Sequence, residues 1–177
     1  DYMVSVAARL LRRHPGYITV FAPLATWLLT LLAGTAHACY ALLPIISEIA
    51  HKEGVRPERP LSVATIAASL GCTGSPVSAA TAAVISTALL GEHGIGMKDI
   101  MVVTIPASLV SILVAALVQN YVGKPLAKEP EYLRRVSEGL LDTKEEEHHA
   151  EENVCNPHAH WAVVAFLAGV LLVVLFG

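Results

Sequence analysis

Charge is what this sequence has least of. Asp, Glu, Lys and Arg make up 15% of its 177 residues, where a soluble domain carries about 25%. Hydrophobic residues reach 54% and the mean hydropathy is +0.57. That deficit excludes the classes that live on surface charge: a soluble enzyme, a nucleic-acid binder and a disordered tail. Cysteine is scarce as well. Cys39, Cys72 and Cys155 are an odd set with neither disulfide-framework nor zinc spacing, so free thiols are expected. There is no initiator Met and no basic leader with a cleavage site, and the last residue, Gly177, falls inside an apolar run. The expectation is a membrane protein, an internal fragment of a longer polytopic chain whose second half is missing.

What charge there is lies bunched. Nine of the fifteen acidic residues fall within 129–152. Four stretches, 16–47, 61–91, 100–123 and 154–177, hold no Asp, Glu, Lys or Arg. About 20 apolar residues cross a bilayer as a helix, so the last two suit one helix each. The first, with 32 residues, is too long for one helix and predicts a re-entrant or transmembrane helical hairpin over 17–50, with Pro44 kinking the returning arm. The second, with 31, predicts a single interrupted span over 61–91. Ahead of them, 1–13 reads as a basic amphipathic helix for a membrane surface. The expected organisation is a membrane module over 1–123, closing with a span over 99–123. A cytoplasmic charged loop over 124–157 and the start of another helix over 158–177 follow. A hairpin that returns to its starting side, followed by two crossings, places every Arg-bearing segment in the cytoplasm. The fold class is an all-α membrane bundle.

The chemistry concentrates at two interruptions. Glycine costs about 1 kcal/mol and proline about 3 kcal/mol in a helix interior, so Gly71, Gly74 and Pro76 predict a break that opens at Gly71. A helix restarting there has Ser75 as its cap and Pro76 at its first position. Its free N–H groups and positive dipole end favour a carboxylate, with Thr73, Gly74, Ser75 and Ser78 around it. A discontinuous helix near the bilayer midplane points to a transporter binding site. The same residues also read as a small-residue packing face with a proline kink. At the hairpin tip, Gly34, Thr35 and His37 offer a turn, a hydroxyl and an imidazole; His37 suits a carboxylate contact, proton coupling or a structural hydrogen bond between helices. His148, His149, Cys155, His158 and His160 match no regular zinc pattern, so no metal site is assigned. No nucleophile–base pair stands at membrane depth, which argues against an intramembrane hydrolase.

The runs over 9–17 (RLLRRHPGY), 32–46 (LAGTAHACYALLPII) and 67–81 (AASLGCTGSPVSAAT) resemble the anaerobic C4-dicarboxylate transporters of bacteria, the Dcu family. The resemblance implies a multi-pass carrier of the bacterial inner membrane, not an enzyme, that exchanges or takes up fumarate, succinate, malate and aspartate. It also implies the ion-transporter superfamily arrangement, with substrate held between hairpin tips and broken helices. No cofactor is implied. The expected partners are a small dicarboxylate, the bilayer and the missing half of the carrier or a homodimeric copy that replaces it; no nucleic acid is expected. A carrier for another organic anion, a membrane dicarboxylate sensor and a structural partner are the alternative readings. No Lys or Arg lies in the charge-free stretches, so a dianion must be neutralised by the missing half, by co-transported H+ or Na+, or by water.

Overall fold

Each charge-free stretch contributes helix among its described residues. The computed structural model describes residues 2–86, 94–121, 126, 129–138 and 159–176; all regular structure among them is helical. In chain order these are α1 (Tyr2–Arg13), a 3-10 turn (Pro15–Tyr17), α2 (Ile18–Ala33), a 3-10 helix (Ala36–Ala41), α3 (Leu43–Lys52), α4 (Glu58–Thr73), α5 (Ala79–Ser86), α6 (Met97–Tyr121), α7 (Pro130–Ser137) and α8 (Ala159–Phe176).

The buried hydroxyls of Thr26 and Thr30 are satisfied within their own helix, as an apolar surrounding demands, whereas the neighbouring Trp27 Nε1 is buried without a hydrogen-bond partner among the described residues. In α2 the Thr26 hydroxyl donates to the Ala22 carbonyl at 2.8 Å and the Thr30 hydroxyl to the Thr26 carbonyl at 3.0 Å. The helix stops at Gly34, whose N–H bonds the Thr30 carbonyl at 2.9 Å and whose φ of +70° is a left-handed cap that glycine adopts without strain. The return arm starts with the 3-10 helix and continues as α3. Pro44 does not kink this arm. It sits in the first turn of α3, where a missing N–H breaks no bond.

Contacts fix the directions. Gly71 of α4 lies against Thr30 and the Trp27 carbonyl of α2, while Ala64 shares a core with Ile18 and Ala22, so α2 and α4 run side by side in the same direction. Ile46, Ile49 and Ala50 of α3 come back to Leu11 of α1 and to Ile18 at the start of α2. α6 runs opposite to α4: Thr104 stands beside Gly74, and Ile112 and Ala116 pack with Val63 and Ala67. The apolar side of α1 is partly occupied by protein, with Val6 and Leu10 left exposed. Leu11 is fully buried, and Met3, Val4 and Ala7 pack onto the α2–α3 core. α8 lies beside α1, and the two with α2 line an open apolar groove of about 210 Å³.

One end of the bundle gathers Arg12, Lys52, Arg56, Arg134 and Arg135 with their acidic partners, whereas Lys98 lies at the start of α6 at the other end. Glu48 bonds Lys52 at 2.8 Å and Arg12 at 3.5 Å, and Arg56 pairs with Glu58 at 2.6 Å and Glu129 at 3.3 Å. His51 meets Tyr132 edge to face, which seats α7 at the same end. α7 carries its own pairs, Glu131 with Arg134 and Arg135.

Candidate functional site

The break in the second span begins later than the glycine pattern suggests. α4 continues through Gly71 to Thr73, and the irregular segment is Gly74 to Ser78. Gly71 is a contact point: a β-carbon there would meet the Thr30 hydroxyl and come within 2.6 Å of the Trp27 carbonyl oxygen. Close approach of α2 offsets its poor helix propensity. Nor does Ser75 cap the next helix with Pro76 at its first position. Pro76 follows Ser75 in a turn closed by the Ser78 N–H on the Ser75 carbonyl at 3.3 Å, and Ser75 Oγ accepts from the Val77 N–H at 3.2 Å. The cap of α5 is Ser78, whose Oγ accepts from the Ala80 N–H at 3.2 Å.

Hydrogen bonds knit the break together. The Ser75 N–H reaches the Cys72 carbonyl at 3.2 Å, and the Thr81 hydroxyl donates to the Thr73 carbonyl at 3.0 Å across the interruption. Ser75, Ser78 and Thr81 are buried. Thr73 is exposed, with its hydroxyl turned back to the Ser69 carbonyl at 2.9 Å. Gly74 is close-packed: a β-carbon would lie 3.2 Å from Thr104 Oγ1.

The turn at Gly34 meets this break. A β-carbon on Gly34 would come within 3.0 Å of the Val77 backbone, so both the left-handed φ and the contact require glycine. The Cys72 thiol donates to the Gly34 carbonyl at 3.5 Å and stands 3.6 Å from Ser78 Oγ. A directed chain results, from the Ala80 N–H through the Ser78 hydroxyl and the Cys72 thiol to the Gly34 carbonyl. Beside it Thr35 Oγ1 accepts from the His37 N–H at 3.3 Å, and the His37 ring lies 5.6 Å from that of Tyr40. Thr35, His37 and Tyr40 are exposed. Gly34, Gly74, Ser75, Pro76 and Ser78 are thus brought together, with Gly71 one turn below; Thr35, His37 and Thr73 lie toward the surface. Sequence reasoning missed Cys72 and Val77, which form the joint between tip and break. Their signal was only their place inside a glycine-flanked run.

α6 serves as a depth gauge. It has 25 residues and is long and apolar enough to cross a membrane, as is the helical stretch Pro15–Ala33. Thr104, opposite Gly74, is the eighth residue of α6, so at 1.5 Å per residue the break lies about 10 Å from one end and about 25 Å from the other. Both α2 and α4 end here, directing two C-terminal, partially negative dipole ends at the joint against one N-terminal end from α5. That field does not by itself welcome an anion. Among the described residues no cluster of His, Cys, Asp or Glu suits a metal ion, and Cys39 and Cys72 are free thiols. Of the histidine-rich segment only His160 is described, in the first turn of α8 with its ring 5.4 Å from that of Trp161; His148, His149, Cys155 and His158 lie outside the described residues.

The family model described as anaerobic C4-dicarboxylate membrane transporter matches residues 1–177. The chain belongs to that family. Among curated proteins it is similar to the C4-dicarboxylate transporter DcuA of Wolinella succinogenes, at 36% identity over 99% of this chain and 39% of the relative. It is similar also to DcuA of Escherichia coli, at 38% identity over 99% of this chain and 40% of the relative. The anaerobic C4-dicarboxylate transporter DcuB of another Escherichia coli strain is 34% identical over 100% of this chain and 41% of its own length. The chain therefore spans about 40% of the length of these relatives. No solved structure matches it significantly. As a member of a membrane transporter family, the chain has apolar helices whose exposed sides belong to a membrane protein.

Proposed function

We propose that this chain is part of a multi-pass carrier of the bacterial inner membrane that moves C4-dicarboxylates such as fumarate, succinate, malate and aspartate by exchange or uptake. The observation that carries the reading is the meeting of the Gly34 turn with the Gly74–Ser78 break, level with the interior of α6, in a family of dicarboxylate transporters. Irregular backbone at such depth persists only where it is buried in protein or lines a watery cavity. In this reading Thr35, His37 and Thr73 face the substrate. Gly34, Gly74, Ser75 and Ser78 shape the backbone that receives it, with the superfamily's re-entrant tip as the model. The basic end is cytoplasmic, following the positive-inside rule.

Two helix C-termini at the joint, and no Lys or Arg in the charge-free stretches, make neutralisation of a dianion the central requirement. The remainder of the carrier, a second copy, or co-transported H+ or Na+ supplies the positive charge. Counterflow tests the reading. Full-length protein in proteoliposomes loaded with labelled fumarate is expected to release label when unlabelled succinate is added outside. Binding of succinate without release identifies a sensor and overturns the carrier assignment.

A further inference from the structure

We propose that the exposed face of α4 lines the aqueous passage by which a small dianion travels between the basic end of the bundle and the break. The proposal rests on the carrier reading and adds the route. Over 62–73 the exposed residues of α4 are Ser62, Thr65, Ile66, Ser69 and Thr73, four hydroxyls and one apolar side chain. The opposite face, with Val63, Ala64, Ala67 and Ala68, is core. Each hydroxyl donates to a carbonyl of its own helix, so its oxygen lone pairs remain open to water: Ser62 to Arg59, Thr65 to Leu61, Ser69 to Thr65 and Thr73 to Ser69.

A second observation is where the row begins and ends. It starts one turn from Arg59, close to Arg56 with its partners Glu58 and Glu129, and it ends at Thr73 next to the break. From position 62 to 73 the rise is about 16 Å, so the row joins the ion-paired end of the bundle, around Arg56, Glu58 and Glu129, to the candidate site. The hydroxyls give a dianion hydrated contacts where lipid would give none. α6 shows what a lipid-facing surface of this protein looks like. Its exposed residues over 102–118 are nine apolar side chains and Ser111.

The test is thiol accessibility in the full-length carrier in oriented membranes, with all native cysteines replaced by serine. Ser62, Thr65, Ser69 and Thr73 are changed to cysteine one at a time, with Val103→Cys, Val110→Cys and Val114→Cys on α6 for comparison. Only variants that accumulate like the cysteine-free parent are scored. An anionic, membrane-impermeant methanethiosulfonate is expected to modify the α4 positions at least tenfold faster than the α6 positions, from the cytoplasmic side. Saturating succinate is expected to slow modification at 69 and 73 at least threefold. Modification of α4 no faster than that of α6 overturns the proposal, because the face is then covered by protein or lipid. Fast modification without succinate protection, in a protein that also fails fumarate–succinate counterflow, supports the passage while removing the dicarboxylate assignment.

Discussion

Pro76 and Pro106 stand in neighbouring spans, and only one of them interrupts its helix. α6 runs unbroken through Pro106 for 25 residues, whereas α4 stops at Thr73 and α5 begins at Ala79. Proline alone does not decide the outcome; the hydrogen bonds on offer to the freed backbone do. Around Pro106 the hydroxyls point into the existing helix, Thr104 to the Ile100 carbonyl at 2.9 Å and Ser108 to the Ile105 carbonyl at 2.8 Å. Around Pro76 they replace helical bonds. Ser75 and Ser78 accept from Val77 and Ala80, and Thr81 satisfies the Thr73 carbonyl. Side chains that compete with the helix thus turn a tolerated proline into a true break.

The largest test of this contrast is a buried charge. Val110→Asp puts a carboxylate near the middle of the exposed apolar side of α6, where a bilayer position makes insertion lose about 3 kcal/mol. Ser69→Asp on α4 faces water and is expected to cost less than about 1 kcal/mol on the same principle of depth and environment. Membrane-inserted protein, quantified after alkaline extraction, separates the two. Equal losses would erase the distinction between the two faces.

Gly71 tests packing at the next level. An added methyl meets the Thr30 hydroxyl and the Trp27 carbonyl, so Gly71→Ala is expected to destabilise by about 1–3 kcal/mol, the usual range for overpacking. Gly169 in α8 has nothing within 4 Å, and Gly169→Ala is expected to be neutral or to gain up to about 1 kcal/mol from helix propensity. Thermal unfolding of the full-length protein in detergent reads both. A tolerated Gly71→Ala would mean that α2 and α4 are not in close contact there.

Gly71 also marks where the sequence stopped being legible. The charge-free runs declared helices and the glycine–proline cluster declared a break, because both follow from local chain chemistry. The clustering of basic residues at one end followed from counting crossings. The starting point of the break did not, since the cost of a helical glycine is offset by a partner helix that is about forty residues away in sequence. Capping was misassigned for a related reason. Ser75-Pro76 and Ser78-Ala79 both suit a helix start locally, and the Ser75–Ser78 turn, held against Gly34 by Cys72 and Val77, selects the later one. α1 shows the same limit. Its amphipathic pattern fits a lipid surface or a protein surface equally well: Leu11 is buried against α2 and α3, while Val6 and Leu10 stay exposed.

The smallest effect concerns the cap itself. Ser78→Ala removes the acceptor for the Ala80 N–H at the start of a short helix and the hydroxyl beside Cys72, a loss of about 1 kcal/mol for a cap of this kind. Ser108→Ala in α6 removes a hydroxyl that only doubles a bond to its own helix, and is expected to change stability by no more than about 0.5 kcal/mol. Both serines are buried, so burial alone predicts no difference between them. The pair therefore isolates what a hydroxyl contributes at an interruption from what it contributes in a continuous helix. Thermal unfolding of the two variants supplies the measurement. A Ser108→Ala loss equal to or larger than that of Ser78→Ala would show that the Gly74–Ser78 segment is held by packing against Gly34 and Thr104, and that the break does not depend on its serines.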